Sequence, residues 1–248
     1  MLIIGKNPIL EILKTNPNEL NKIILLKTVK PETRLREIVK LADENSIHVQ
    51  YLNHFDFQKY FEKKNKSEGI SQGIIGFAKD FEYTPLRDLL DNIKKVQYPL
   101  ILLLDEITDP QNFGAIIRSA VCLGADGIII PRHNSAEVNH TVYKTSSGAV
   151  KYIQIAKETN LTNSILYLKQ NGFWIVGTEM KAPRNIFEVD FKMPVGLVVG
   201  SEGKGIRKKI LDNCDIKVRI PMAGKLNSLN ASVTAAIFVY EIFRQKNQ

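Results

Sequence analysis

The sequence predicts an α/β protein: a small amino-terminal α/β unit, then a larger domain built on a parallel sheet. From residue 98 onward, short apolar runs without alternation recur between amphipathic stretches. That is the pattern of parallel strands covered on both faces by crossover helices. Before residue 79 the same alternation appears on a smaller scale. Between them, residues 79–97 lose strand character and carry Pro85 with a charged helix-like stretch, the mark of a boundary. The expected division is therefore a domain over 1–78, a linker over 79–97 and a domain over 98–248.

In the first unit, Leu2, Ile3 and Ile4 form an apolar run, and Ile9, Ile12 and Leu13 give residues 8–14 helical spacing. Residues 22–27 hold a short buried-strand run. Pro31 stands at a helix start, and Leu35, Ile38, Val39 and Ala42 recur at intervals of three and four. Residues 48–52 and 73–77 read as two further strands, with the basic, turn-rich stretch 63–69 as a loop between them. In the second unit the expected strands are 100–104, 127–130, 152–155, 173–176, 195–199 and 216–220. Helices are expected near 112–123, 160–171, 204–211 and 229–244.

Composition narrows the class. With 44% hydrophobic and 24% charged residues the chain is ordinary for a globular protein. No apolar run approaches the ~20 residues of a membrane span, and the start lacks a signal-peptide pattern. Cys122 and Cys214 do not make a disulfide framework; they fit a reducing cytoplasm and read as small core hydrophobes. The net charge of +8, spread over both halves, favours a polyanionic partner. His48, His54, His133 and His140 show no ligand spacing, so no metal site is expected.

Three segments put polar residues where a strand gives way to a loop or helix, the place where ligands bind in open α/β sheets. The first, Asp109-Pro-Gln-Asn-Phe-Gly, opens a helix with Phe113, Ile116, Ile117 and Ala120 facing inward. Asn112 could serve there as a helix cap. Arg118, set among residues built for burial, needs an anionic or hydrogen-bonding partner, and a surface ion pair is an equal alternative. In the second, Gly200-Ser-Glu-Gly-Lys-Gly, glycines permit tight turns and close ligand approach. Neither nucleotide-loop spacing fits it, and Glu202 suits a neutral or cationic partner. In the third, Asn227-Ser-Leu-Asn-Ala-Ser, Ser228 or Asn230 caps the following helix, which carries Val233, Ile237, Val239, Tyr240 and Phe243. The stretch is denser in polar groups than a cap requires.

In order and spacing these segments resemble the three motifs of the SpoU-type RNA ribose 2′-O-methyltransferases, which belong to the SPOUT class, over residues 98–248. The resemblance implies a parallel-sheet domain ending in a trefoil knot, an exception to the rule that chains do not thread. It implies S-adenosylmethionine as cofactor, held by Gly177, Thr178, Gly200, Ile220, Ser228 and Leu229. It implies Asn112, Arg118, Glu202, Ser228 and Asn230 as catalytic residues, with neither a metal nor a covalent enzyme intermediate. Residues 147–161 look like the bacterial branch that methylates a guanosine ribose in 23S ribosomal RNA. Residues 2–78 resemble that branch's RNA-binding domain, which is similar to a ribosomal-protein fold. Ser71 departs from the pattern, since members often carry His before the Gln-Gly pair. The implied partners are RNA, ribosomal RNA above all, and a second copy of the chain, in the cytoplasm and away from membranes. A transfer-RNA target, ribosomal-RNA modification conferring antibiotic resistance and a non-catalytic RNA-binding role on the same scaffold are the alternatives.

Overall fold

The apolar runs of the first 80 residues become strands and helices of one compact unit, Met1–Phe81, in the computed structural model, which describes residues 2–64, 72–224 and 228–248. Its elements are β1 (Leu2–Ile4), α1 (Lys6–Thr15), β2 (Leu20–Leu26), α2 (Thr33–Glu44), β3 (His48–Leu52), α3 (His54–Lys64) and β4 (Ile74–Ala78). The sheet order is β1-β4-β2-β3, with β2 and β3 parallel and the other pairs antiparallel. One core gathers Ile9 and Leu13 of α1 and Ile38 and Ala42 of α2 with Ile3, Ile23, Leu25 and Ile74 of the sheet. A second, thinner cluster sets Phe57 of α3 against Ile24 and Ile75.

Helix α3 has no counterpart in the sequence reading. Through Tyr60 it buries only Phe57, too little to give a stripe of helical period. The loop expected over 63–69 begins inside this helix, at Lys63 and Lys64. Residues 65–69 and Ser71 lie outside the described residues.

The second unit, Glu82–Gln248, comprises α4 (Leu86–Ile93), β5 (Leu100–Asp105), α5 (Pro110–Cys122), β6 (Gly127–Pro131), α6 (His140–Thr145), β7 (Gln154–Glu158) and α7 (Leu161–Gln170). These are followed by β8 (Trp174–Thr178), β9 (Arg184–Asn185), β10 (Val195–Gly200), α8 (Lys208–Leu211), β11 (Ile216–Arg219) and α9 (Ala231–Lys246). Helix α4 occupies the stretch read as a linker. Its Leu86, Leu89, Leu90 and Ile93 join the core formed by Ile101, Leu103, Ile129, Ile165 and Val198. The unit therefore takes in most of 79–97.

The sheet order is β7-β6-β5-β10-β8-β11-β9, and every neighbouring pair is parallel. The chain builds outward from β5 to β7, then crosses to β8 and fills the gap with β10. The order thus reverses between β5 and β10, and in such sheets that is where a crevice opens at the carboxyl ends of the strands. Strands β5, β8, β10 and β11 all end on that edge. Asp105 pairs with Gly200, Gly177 with both Val198 and Lys217, and Thr178 with Val218.

Candidate active site

The loop after β10 is closed on itself. Ser201 and Gly205 form an antiparallel bridge, with Gly205 N–H donating to Ser201 O at 2.9 Å and Ser201 N–H to Gly205 O at 3.2 Å. Gly203 and Gly205 take φ of +91° and +68°, values that favour glycine. At Gly200 a Cβ would lie 2.2 Å from Gly205 C and 2.3 Å from Ile206 N. The returning backbone, and not an outside ligand, therefore occupies the space that Gly200 leaves. The helix expected over 204–211 is shortened to Lys208–Leu211 because this hairpin takes its first residues.

The hairpin's exit is fastened to β5. Asp105, fully buried, accepts from Arg207 Nε at 2.9 Å and Nη2 at 2.7 Å on Oδ1, and from Arg207 main-chain N–H at 2.8 Å on Oδ2. Glu106, at φ +57°, adds a longer contact to Arg207 Nη1 at 3.5 Å. Hydrogen bonding to Asp105 holds the guanidinium above its ordinary range.

Three of the expected residues meet in one hydrogen-bonded cluster. Asn230 Nδ2 donates to Asn112 Oδ1 at 2.9 Å and to Glu202 Oε2 at 3.1 Å. Asn230 Oδ1 accepts from Ser232 N–H at 2.8 Å and Ser232 Oγ at 2.6 Å, so Asn230 caps α9. The first turn of α5, the β10 hairpin and the start of α9 are thereby tied at one amide. Asn112 is not the cap of α5. That place belongs to Asp109, which accepts from Gln111 N–H at 3.0 Å, with Pro110 at the first helical position. Ser228 is exposed, and Asn227 lies outside the described residues.

Arg118 stands apart. Helix α5 buries Phe113, Gly114, Ile116, Ile117 and Ala120, but Arg118 points outward and is exposed. It follows Asn112 by six residues, which on a helix places the two side chains roughly 120° apart. Among the described residues its side chain makes no hydrogen bond or ion pair. Burial does not explain this arginine; its guanidinium is free for a partner. Beside it, Ala115 and Ser119 of α5 and Ser232, Val233, Ala236 and Tyr240 of α9 line an apolar surface groove.

The expected cofactor residues sit at neighbouring strand ends. Thr178 closes β8, Ile220 follows β11, and Leu229 precedes α9; all three are partly buried. Gly177 is internal: its missing Cβ would lie 2.8 Å from Cys214 Sγ and 3.1 Å from Leu211 Cδ1. Cys214 is largely enclosed, and burial pushes its thiol up to about 12. Cys122 departs from the core role read for it, being exposed at the end of α5. Among the described residues no group of three or more His, Cys, Asp or Glu is placed to hold a metal. No helix of these residues is long and apolar enough to cross a membrane.

Residues 99–240 match the model of the SpoU rRNA methylase family, and residues 2–84 match that of RNA 2′-O ribose methyltransferase substrate binding. A Staphylococcus saprophyticus protein assigned to the TrmH family of tRNA/rRNA methyltransferases is 39% identical over 253 residues, spanning 100% of this chain and 96% of its own. This chain belongs to the SpoU methylase family. A Bacillus subtilis member with the same TrmH assignment is 36% identical over 246 residues, covering 99% of this chain and 96% of its own. The SpoU methyltransferase AviRb of Streptomyces viridochromogenes, crystallised with AdoMet, shares the fold. Its TM-score is 0.69, at 24% identity, over 100% of this chain and 91% of its own. A TrmH/SpoU tRNA modifying enzyme of A. aeolicus reaches 34% identity and a TM-score of 0.57 over 65% of this chain and 82% of its own.

The sequence reading assigned no role to Asp105, Arg207 or Ser232. A signal existed for the first: an acidic residue closing the unbroken apolar run Leu100–Leu104 must find a partner when buried.

Proposed function

We propose that this SpoU-family chain transfers a methyl group from S-adenosylmethionine to the ribose 2′-hydroxyl of a guanosine in 23S ribosomal RNA, as a homodimer in the cytoplasm. The observation that carries the reading is the Asn112–Asn230–Glu202 cluster, which joins the β10 hairpin to α5, a helix that also presents an Arg118 with no partner among the described residues. A protein that only bound RNA would have no need of a preformed polar cluster at the switch point of its sheet.

The residues present fit the cofactor. Side by side, β10 and β8 end at Gly200 and Thr178 and Ile220 follows β11, supplying backbone groups and partly exposed apolar surface to an uncharged adenosine. Glu202 Oε1 has no partner among the described residues, which suits a cationic sulfonium. Bound there, S-adenosylmethionine supplies an electrophilic methyl; transfer forms the O–CH3 bond, breaks the S–CH3 bond and releases the hydroxyl proton.

The chain's own part is positioning and charge. Holding two substrates in line removes much of the entropic barrier. Arg118 binds the target phosphate and ribose and stabilises the developing alkoxide. An arginine side chain carries no acceptor and is a poor general base, so the hydroxyl proton passes to the target phosphate that Arg118 holds, or to water. Ser228, exposed at the entrance to α9, completes the polar rim. Because Arg118 points away from Asn112 and is next in sequence to Ser119, which lines the α5–α9 groove, we assign the groove to the second copy and Arg118 to that copy's cofactor loop. The trefoil knot belongs to the same proposal: β10 enters between β5 and β8, both earlier in the chain.

Target choice is open to one test. The 34% identity to a tRNA-modifying enzyme favours a transfer-RNA target as the second reading, whereas the match to the SpoU rRNA methylase family together with a separate substrate-binding domain favours ribosomal RNA. Mapping 2′-O-methyl groups in RNA from a deletion strain is expected to show one missing mark in 23S ribosomal RNA. Loss from a transfer RNA alone moves the target, and loss from neither overturns the proposal.

A further inference from the structure

The mechanism above does not use the most deeply buried carboxylate of the site. Asp105 is 0% exposed at the carboxyl end of β5, in register with Gly200. Its position at the switch point would suit a general base, but its oxygens are taken. Arg207 supplies three donors to them, two from the guanidinium and one from the main chain, all within 2.9 Å. With three of its about four lone-pair sites filled by fixed donors and no exposure to solvent, the carboxylate is not set to take a proton from a substrate hydroxyl.

What Arg207 holds in return is the hairpin. The Ser201–Gly205 loop contains two positive-φ glycines, and among the described residues its tie to Asn230 is the 3.1 Å contact from Glu202. Its entry is secured by the β10 ladder up to Gly200. Its exit is secured by Ile206, which is buried in the core, and by Arg207. The main-chain N–H of Arg207 fixes the direction in which the chain leaves the loop, and the guanidinium fork fixes the side chain on the same carboxylate.

We propose that Asp105 and Arg207 are positioning residues: their ion pair clamps the exit of the 201–205 hairpin to β5 and thereby sets Glu202 against Asn230 in the cofactor-binding geometry. The inference rests on the reading of this hairpin as part of the S-adenosylmethionine site. The Arg207 guanidinium is engaged by Asp105 and Glu106, so its role is assigned through the hairpin. A lysine at that position keeps the charge and loses the fork, so it reproduces only part of the clamp.

The test uses the full-length protein with Arg207→Met, Arg207→Lys and the double variant Asp105→Asn/Arg207→Met. The double variant matters because Arg207→Met alone leaves a buried charge unpaired and lowers stability, whereas the neutral pair removes that charge. Amide exchange of residues 201–205 without ligand, calorimetry with S-adenosylmethionine and the thermal midpoint are measured for each. Arg207→Met is expected to speed exchange at Gly205 and weaken cofactor binding about tenfold or more, as loss of a charge-assisted hydrogen-bond set does. Arg207→Lys falls between. In the double variant the thermal midpoint recovers while exchange stays fast and binding stays weak. If binding recovers together with stability, or if exchange is unchanged in Arg207→Met, the clamp is stabilising only and the proposal fails. A wild-type protein that binds no S-adenosylmethionine overturns the cofactor reading instead, while the exchange data still decide whether the clamp sets the hairpin.

Discussion

Arg118 and Asn230 show how the same kind of residue can be read from its surroundings in opposite ways. Asn230 spends its whole amide: one group on Asn112 and Glu202, the other on the start of α9. Arg118 spends nothing among the described residues and faces outward from a helix whose other side is packed. A side chain that costs conformational entropy to order and has no partner among the described residues is available to a substrate. Arg118→Ala is therefore expected to leave S-adenosylmethionine affinity unchanged by calorimetry while methyl transfer falls by about two to three orders of magnitude, as loss of a transition-state donor does. Arg118→Lys recovers little, since an ammonium does not reproduce the planar fork. Turnover near wild type in the alanine variant removes Arg118 from the mechanism.

Among the elements, legibility follows burial. Strands β5, β6 and β10, buried along nearly all their length, stood out as unbroken apolar runs, and α2 and α5 as stripes of period near 3.6. Elements with little to bury were not legible. Helix α6 hides only Val142, α3 shows one buried residue in its described part, and β9 is two residues long. Helix α4 was hidden for a different reason. Its apolar residues Leu86, Leu89, Leu90 and Ile93 have helical spacing, but the charges between them and Pro85 read as linker. The cluster of Asn112, Glu202 and Asn230 was named from motif order; that the three share hydrogen bonds, and that Asp105 holds Arg207 across 102 positions, depends on strand pairing that no local pattern encodes.

The last helix also carries a pH-sensitive anchor. Near the end of α9, Lys246 donates to Tyr98 O, and burial pulls its ammonium down from 10.5 to about 8 despite the nearby Asp126. Below about 8 both folded and unfolded chains hold this proton, and the folded state bears the desolvation cost. Between about 8 and 10.5 the unfolded chain holds more of it, so the contribution of Lys246 to stability rises with pH and the cost is gone above that window. Partial burial keeps the slope below the ceiling of about 1.4 kcal/mol per pH unit for one proton. Urea unfolding of wild type and Lys246→Met from pH 7 to 10.5 should show the wild type gaining stability relative to the variant across the window. A constant difference means that Lys246 is not perturbed.

At the scale of the whole molecule, the chain has two units with separate cores, and the proposed function assigns chemistry to one and capture to the other. The second unit holds the cluster, the hairpin and the α5–α9 groove, all within Glu82–Gln248. On α9 the residues Ala235, Phe238, Val239 and Ile242 face the internal core, whereas Val233, Tyr240 and Phe243 remain 44%, 54% and 40% exposed. That surplus of apolar surface on one helix is what an isologous contact would cover. If Arg118 works in the partner's site, activity must fall when the dimer is broken, even though each copy retains its own cluster. If the first unit, which has its own core and matches a substrate-binding family, adds a second point of attachment, it raises RNA affinity without entering the chemistry. Deleting residues 1–81 should therefore leave a dimeric protein that binds S-adenosylmethionine normally and RNA weakly, with a shallower dependence of RNA affinity on salt because fewer phosphates are neutralised. Tyr240→Glu in the full chain should yield monomers that still bind cofactor and no longer methylate. Light scattering, calorimetry and filter binding at several salt concentrations separate the two effects. A monomeric wild type, or a truncated protein with undiminished RNA affinity, contradicts this division of labour.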